Sequence, residues 1–179
     1  MELCEASLDK LFLNDGDPKK YCGPILPKEY IILQLATGLK YIHGQNLVHR
    51  DIKPANALIW VGPREEKTAG TKVLIKWSDF GLSKRITGQN GSFSISDFKG
   101  TLSWFAPEIL KLYYQEEEPD ASRKRGTVKS DVFAEGLTFA FILLGGKHPY
   151  GENPFEIPNN VIINNPVNLK SQLLRFYFY

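Results

Sequence analysis

Asp51, Asn56 and Asp79 are the side chains whose types and spacing best suit chemistry in this sequence. Two carboxylates and an amide supply hard oxygen donors, of the kind that magnesium takes and that orient a reacting hydroxyl. Asp51 lies in the run Leu47-Val48-His49-Arg50-Asp51-Ile52-Lys53-Pro54-Ala55-Asn56, so a lysine follows the first carboxylate by two residues and the amide by five. An oriented nucleophile, a cation for phosphate oxygens and ligands for magnesium are what phosphoryl transfer requires.

These groups must be brought together by the elements around them. Pro27 to His43 reads as the best helix, with Ile31, Leu35, Leu39 and Ile42 at helical spacing and Gly44 to close it. Ala57 to Val61 and Lys72 to Trp77 read as two strands around a polar loop from Gly62 to Gly70; that hairpin returns Asp79 to the side of Asn56. Upstream, Glu2 to Cys4 reads as the end of a strand and Glu5 to Leu13 as a short helix. Downstream, Ser83 to Lys99 reads as a mobile surface loop and Ala106 to Tyr114 as a short helix. Gln115 to Thr127, an acidic run followed by a basic one, reads as a solvated loop. Ser130 to Leu144 is apolar nearly all round and is therefore expected at the centre, ended by Gly145-Gly146. Past Gly151 the prolines and asparagines are expected to interrupt any helix, and residues 152–179 receive no firm assignment.

His49-Arg50-Asp51 with Asn56, then Asp79-Phe80-Gly81, then Ala106-Pro107-Glu108 are three motifs in the order found in protein kinases. Singly, Asp-Phe-Gly or His-Arg-Asp carries little weight. Jointly they identify a chain that resembles the C-terminal lobe of a eukaryotic serine/threonine kinase. Gly38 to His43, Ser78 to Lys84, the serine cluster, Gly100-Thr101 before Trp104, and His148-Pro149-Tyr150-Gly151 resemble more narrowly the inositol-requiring kinase-endoribonucleases of the endoplasmic-reticulum stress response. The resemblance implies an α+β, protein-kinase-like fold, a mainly helical C-lobe with a small β-hairpin and no N-lobe. It implies one partial kinase domain over residues 1–179, with an activation segment at 79–108.

In that reading Asp51 orients the substrate hydroxyl, and Lys53 neutralises charge on the transferring group. Asn56 and Asp79 bind ATP through Mg2+. His49, Glu108 and Asp131 are structural, Asp131 bracing the backbone of the catalytic loop. The bland alternative for Asp131 is a helix N-terminal acid. Lys53 with Thr101 points to serine/threonine rather than tyrosine substrates. Ser92, Ser94 and Ser96 fall where activating phosphorylation is expected, with Arg50 as the dock for a phosphate; ordinary loop serines are the alternative.

Composition sets bounds. The chain has 179 residues, 42% apolar and 23% charged, enough for one domain with a real core. A net charge of +2 gives no argument for nucleic acid, and Cys4 and Cys22 make no metal-ligand or disulfide pattern. The most apolar window, Leu137 to Leu144, is far short of the roughly 20 residues that span a bilayer. A cytoplasmic setting is expected, with a longer parent at the cytosolic face of the endoplasmic reticulum. The expected partner is a protein substrate or the protein itself, with a homodimer in a full-length parent. The sequence shows no Gly-rich loop or strand lysine, so these residues alone are expected to be nearly inactive. The competing readings are a non-catalytic kinase lobe that binds or dimerises, and a serine/threonine kinase without an RNase.

Overall fold

The computed structural model describes residues 3–63, 72–86, 92–94, 100–114 and 125–169. Its best-packed unit is a helix laid across a short antiparallel sheet. Strands β3 (Ala57–Val61) and β4 (Val73–Trp77) form the hairpin, with Ala57 opposite Trp77 and Val61 opposite Val73. A short first strand, β1 (Ala6–Ser7), adds to its other edge, Ala6 opposite Ile59. Helix α1 (Lys28–Gly44) covers one face.

Alternation along β4 explains the fit. Val73, Ile75 and Trp77 point inward and are buried, against Ile31, Leu35, Leu39 and Ile42 of α1. Each such side chain contributes roughly 1.5–3 kcal/mol through burial. Two polar contacts fix the register. The Trp77 indole N–H donates to the Leu35 carbonyl at 3.0 Å, and the Ile75 amide donates to Gln34 Oε1 at 2.8 Å. Gly38 faces Trp77 at the crossing, where a Cβ would stand 3.2 Å from the indole.

The other described strands are two-stranded pairs. β2 (Leu47–Val48) pairs with β5 (Lys84–Arg85), and β6 (Ser92–Ser94) pairs with β7 (Arg125–Thr127). The helical part consists of α2 (Pro107–Tyr114), α3 (Val128–Leu143) and α4 (Ile157–Ile162). A capping box starts α3: the Thr127 hydroxyl accepts from the Lys129 amide at 3.2 Å, and Ser130 Oγ accepts from the Thr127 amide. Trp104 packs edge-on against His148 and Phe141, joining the segment before α2 to the end of α3.

Five sequence expectations are corrected. Glu5 to Leu13 is not one helix: Ala6–Ser7 extends along β3, and only Leu8–Phe12 turns, as a 3-10 helix. The open edge of the hairpin takes the backbone before a helix can form. Ser83 to Lys99 is not loop throughout, because Lys84–Arg85 and Ser92–Ser94 find partner strands. Gln115 to Thr127 is not all loop either, since its last residues, Arg125–Thr127, form β7; residues 115–124 lie outside the description. In α3, Val132 and Leu143 are exposed, so the helix is buried on one side rather than all round. Finally, a helix does form beyond Gly151, because Pro158 falls in the first turn of α4, where its missing N–H costs nothing. The asparagines there act as brackets: Asn160 and Asn168 donate to the carbonyls of Tyr150 and His148, and Asn164 accepts from the Tyr150 hydroxyl.

Candidate active site

β3 and β4 set the site by where they end. At the mouth of the hairpin the Ser78 amide and hydroxyl both donate to the Asn56 carbonyl at 2.9 Å. That tie holds the start of one strand against the end of the other. Asp79, next after Ser78, is thereby carried to the end of the catalytic loop. A 3-10 turn, Pro54–Asn56, closes the loop from the other side, with Pro54 in its first position.

Within the loop the Asp51 carboxylate is the centre. Its Oδ2 accepts from Lys53 Nζ at 2.7 Å and from Asn56 Nδ2 at 2.8 Å. Lys53 Nζ also donates to Thr101 Oγ1 at 2.8 Å, and the Thr101 hydroxyl lies 3.5 Å from Asp51 Oδ1. Asp51, Lys53, Asn56 and Thr101 are thus assembled as one network. Asn56 Nδ2 makes a second bond, to the Asp51 carbonyl at 2.8 Å. With the amide nitrogen so used, the amide carbonyl is the end turned away from Asp51. Asp51 and Asn56 are only 8% and 7% exposed, whereas Asp79 is exposed.

The frame beneath is Asp131, in the first turn of α3. Its Oδ2 accepts from the His49 amide at 2.7 Å and its Oδ1 from the Arg50 amide at 2.9 Å. The Arg50 backbone is left-handed, with φ of 73°. A non-glycine residue held there stores of order 1–2 kcal/mol, and the two bonds to Asp131 are what hold it. Asp79 is left-handed as well, at φ 63°, and its carboxylate accepts from the Gly81 amide at 3.4 Å.

His49 is fully buried, its ring 4.9 Å from Phe80 and 6.3 Å from Trp77. Its Nδ1 faces the Asp51 amide at 3.3 Å and its Nε2 faces the Ser78 carbonyl at 2.9 Å. An N–H needs an acceptor and a carbonyl needs a donor, so the ring is neutral with its proton on Nε2. Burial, the largest influence, holds its pKa below the ordinary histidine value, opposed by the Ser78 carbonyl and nearby carboxylates. This histidine fastens the loop to the Ser78 carbonyl, just after β4 and before Asp79-Phe80-Gly81.

The remaining expected residues are placed unevenly. Glu108 Oε1 accepts from Ser130 Oγ at 3.2 Å, which ties α2 to the start of α3. Ser92 and Ser94 lie in β6, opposite Thr127 and Arg125, and Ser96 lies outside the described residues. Arg50 takes its place through its backbone. Three contributors were not singled out from the sequence: Ser78, His43 and Glu135. His43 Nε2 lies 2.9 Å from Asp131 Oδ2, and Glu135 stands one turn after Asp131 in α3. His43 and Ser78 fall inside stretches that carry the family resemblance, with no role of their own assigned there, and Glu135 shows only as an acid at i+4 from Asp131.

Among the described residues, no three His, Cys, Asp or Glu side chains converge to hold a metal. Asn56 and Asp79 offer two hard oxygens. That donor set fits magnesium, which is held by one or two protein oxygens and takes its other ligands from phosphates and water. No described helix is long and apolar enough to cross a membrane.

The model of the protein kinase domain matches residues 1–173. Among curated proteins, the human serine/threonine-protein kinase/endoribonuclease IRE2 is 39% identical over 160 residues, covering 89% of this chain and 15% of its own. The sensor for unfolded proteins in the ER ire1 of Schizosaccharomyces pombe is 33% identical over 176 residues, 92% of this chain and 16% of its own. The serine/threonine-protein kinase/endoribonuclease ireA of Aspergillus fumigatus is 31% identical over 172 residues, 86% of this chain and 15% of its own. The chain therefore spans about 15% of the length of the relatives it matches. Its α+β architecture, a helix-rich lobe with a small hairpin, is that of a partial kinase fold. With the family's motifs assembled around Asp51 and its domain model covering nearly every residue, the chain belongs to the protein kinase family.

Proposed function

We propose that residues 1–179 are the substrate-side part of a serine/threonine protein kinase domain, with residues 79–108 as its activation segment. The carrying observation is the Asp51 network: one carboxylate oxygen shared by Lys53 and Asn56, with Thr101 on the same lysine. Asp51 would accept or orient the proton of the substrate hydroxyl. Lys53, already poised between Asp51 and Thr101, would offset charge on the transferring group. Asn56 and Asp79 would hold magnesium on the phosphates of ATP. Bound there, magnesium supplies positive charge against the oxygens of the transferring phosphoryl. Thr101, bridging to Lys53, supports serine or threonine as the accepting residue.

Ser92, Ser94 and Ser96 would be sites of autophosphorylation. The Schizosaccharomyces pombe relative, named as a sensor for unfolded proteins in the ER, supports a place in unfolded-protein signalling; a parent at the cytosolic face of the endoplasmic reticulum and a homodimer of that parent belong to the same proposal. The test is transfer of labelled γ-phosphoryl from magnesium-ATP to serine or threonine by the protein purified at its natural length. Transfer that is lost in Asp51→Asn and Asp79→Asn supports the reading. Normal folding without nucleotide binding or transfer would favour a lobe that serves as a binding or dimerising module.

A further inference from the structure

Among the described residues, Glu135 is a buried acid that neither the proposed chemistry nor the frame of the loop uses. It is 8% exposed, and its Oε1 meets no hydrogen-bond partner. A buried carboxylate oxygen without a partner is costly when charged, so such a group keeps its proton or finds a counter-charge. The titratable groups that act on it are His43, from α1, and Asp131, one turn earlier on its own helix. Those same two groups lie under the catalytic loop. Asp131 Oδ2 receives both the His49 amide and the His43 ring N–H, while Oδ1 receives the Arg50 amide.

We propose that Glu135, His43 and Asp131 form a proton-controlled clamp on the catalytic loop, in which Glu135 is the positioning residue that holds or releases the proton. With Glu135 neutral, the site contains one carboxylate, and the His43 N–H is given wholly to Asp131. When Glu135 ionises, a second carboxylate stands one helical turn from Asp131. Their repulsion then loosens Asp131's hold on the left-handed Arg50 backbone. The side chain of His43 in this cluster is 16% exposed. The direction of the Glu135 pKa agrees: burial raises it, against the pull of His43 and with the push of Asp131, to about 7. The switch therefore lies in the range where cellular pH varies.

The consequence for phosphoryl transfer rests on the kinase reading, but the clamp itself is tested without activity. Amide hydrogen exchange is followed by NMR at His49 and Arg50, as protection factors from about pH 5 to about pH 9. In the wild-type chain, protection at these two amides is expected to fall about tenfold more than at the amides of β3 and β4 as pH passes through 7. In Glu135→Gln the fall is expected to vanish. Equal pH dependence in both proteins, or a fall of equal size at every amide, overturns the clamp. Should the variant not fold, the carboxyl carbon of Glu135 in the wild-type chain decides. Titration near 7 upholds the proposal, and titration at the ordinary glutamate value ends it. Failure here leaves the Asp51 assignments intact, and absence of phosphoryl transfer leaves the clamp intact.

Discussion

Asp131 supplies acceptors to two successive backbone amides and to an imidazole, and each depends on its being an anion with both oxygens free to accept. Asp131→Asn keeps the shape and turns one oxygen into a donor facing another donor. The expected cost is about 2 to 4 kcal/mol, from one lost bond and one buried clash. A urea midpoint unchanged from wild type would contradict it. Under the proposed function, Asp51→Asn acts on chemistry instead. The amide still accepts from Lys53, so the fold is expected to persist while kcat drops by about 100-fold to 10,000-fold in the natural-length kinase. Measuring kcat beside the unfolding midpoint separates the two roles. At this scale the sequence was informative where a motif fixes the residue: Asp51, Lys53, Asn56 and Thr101 were all named and all meet. Ser78 and His43 were not, because one acts partly through its backbone and the other lies 88 residues from its partner. Local spacing carries no trace of either.

Elements are held at their joints by positions where only glycine fits. Gly146 ends α3 with φ of 93°, and a Cβ there would overlap the Phe12 side chain. Gly146→Ala is expected to cost about 2 to 3 kcal/mol, lowering Tm by about 4 to 12 °C in a chain of this size. A scanning calorimetry trace that matches wild type would disprove the joint. Gly100 is a second such point, at φ 131°, where a Cβ would lie 2.7 Å from the Phe105 ring and 3.3 Å from the Arg50 carbonyl. Helical spacing made α1 legible, and a long apolar run made α3 legible as a helix, though not its exposed side. The short strands were not legible. Ala6–Ser7 and Lys84–Arg85 have too few residues to show alternation and exist because a distant edge offers hydrogen bonds. Pro158 misled for a related reason: a proline that breaks a helix interior is welcome in its first turn, and the sequence does not say which it is.

The whole molecule integrates its buried titrations into one stability profile, and their signs differ. Burial pulls the pKa of His148 down from 6.5 to about 4, and that of His49 down as well. Between those limits the unfolded chain takes up protons that the folded chain refuses, so folding stability is lost as pH falls from 6.5. Glu135 does the reverse. Its pKa is raised from 4.5 to about 7, so the folded chain keeps a proton that the unfolded chain gives up, and stability is lost as pH rises from 4.5 through about 7. In the overlap the two slopes oppose each other. His49 adds to the His148 side of that balance, and above 6.5 only the glutamate's slope remains, so wild-type stability should decline from there through about 7. Removing the glutamate's titration removes the descending branch. Glu135→Gln is expected to rise more steeply up to about pH 6.5 and stay level above it, a change in shape worth about 2 to 3 kcal/mol by neutral pH. A uniform offset between the proteins would reflect only the new amide's fit, so the comparison rests on shape. Urea unfolding midpoints across the range provide it. Parallel profiles would mean that Glu135 is ionised in the folded protein at all these pH values, and that the acid under the catalytic loop is charged throughout.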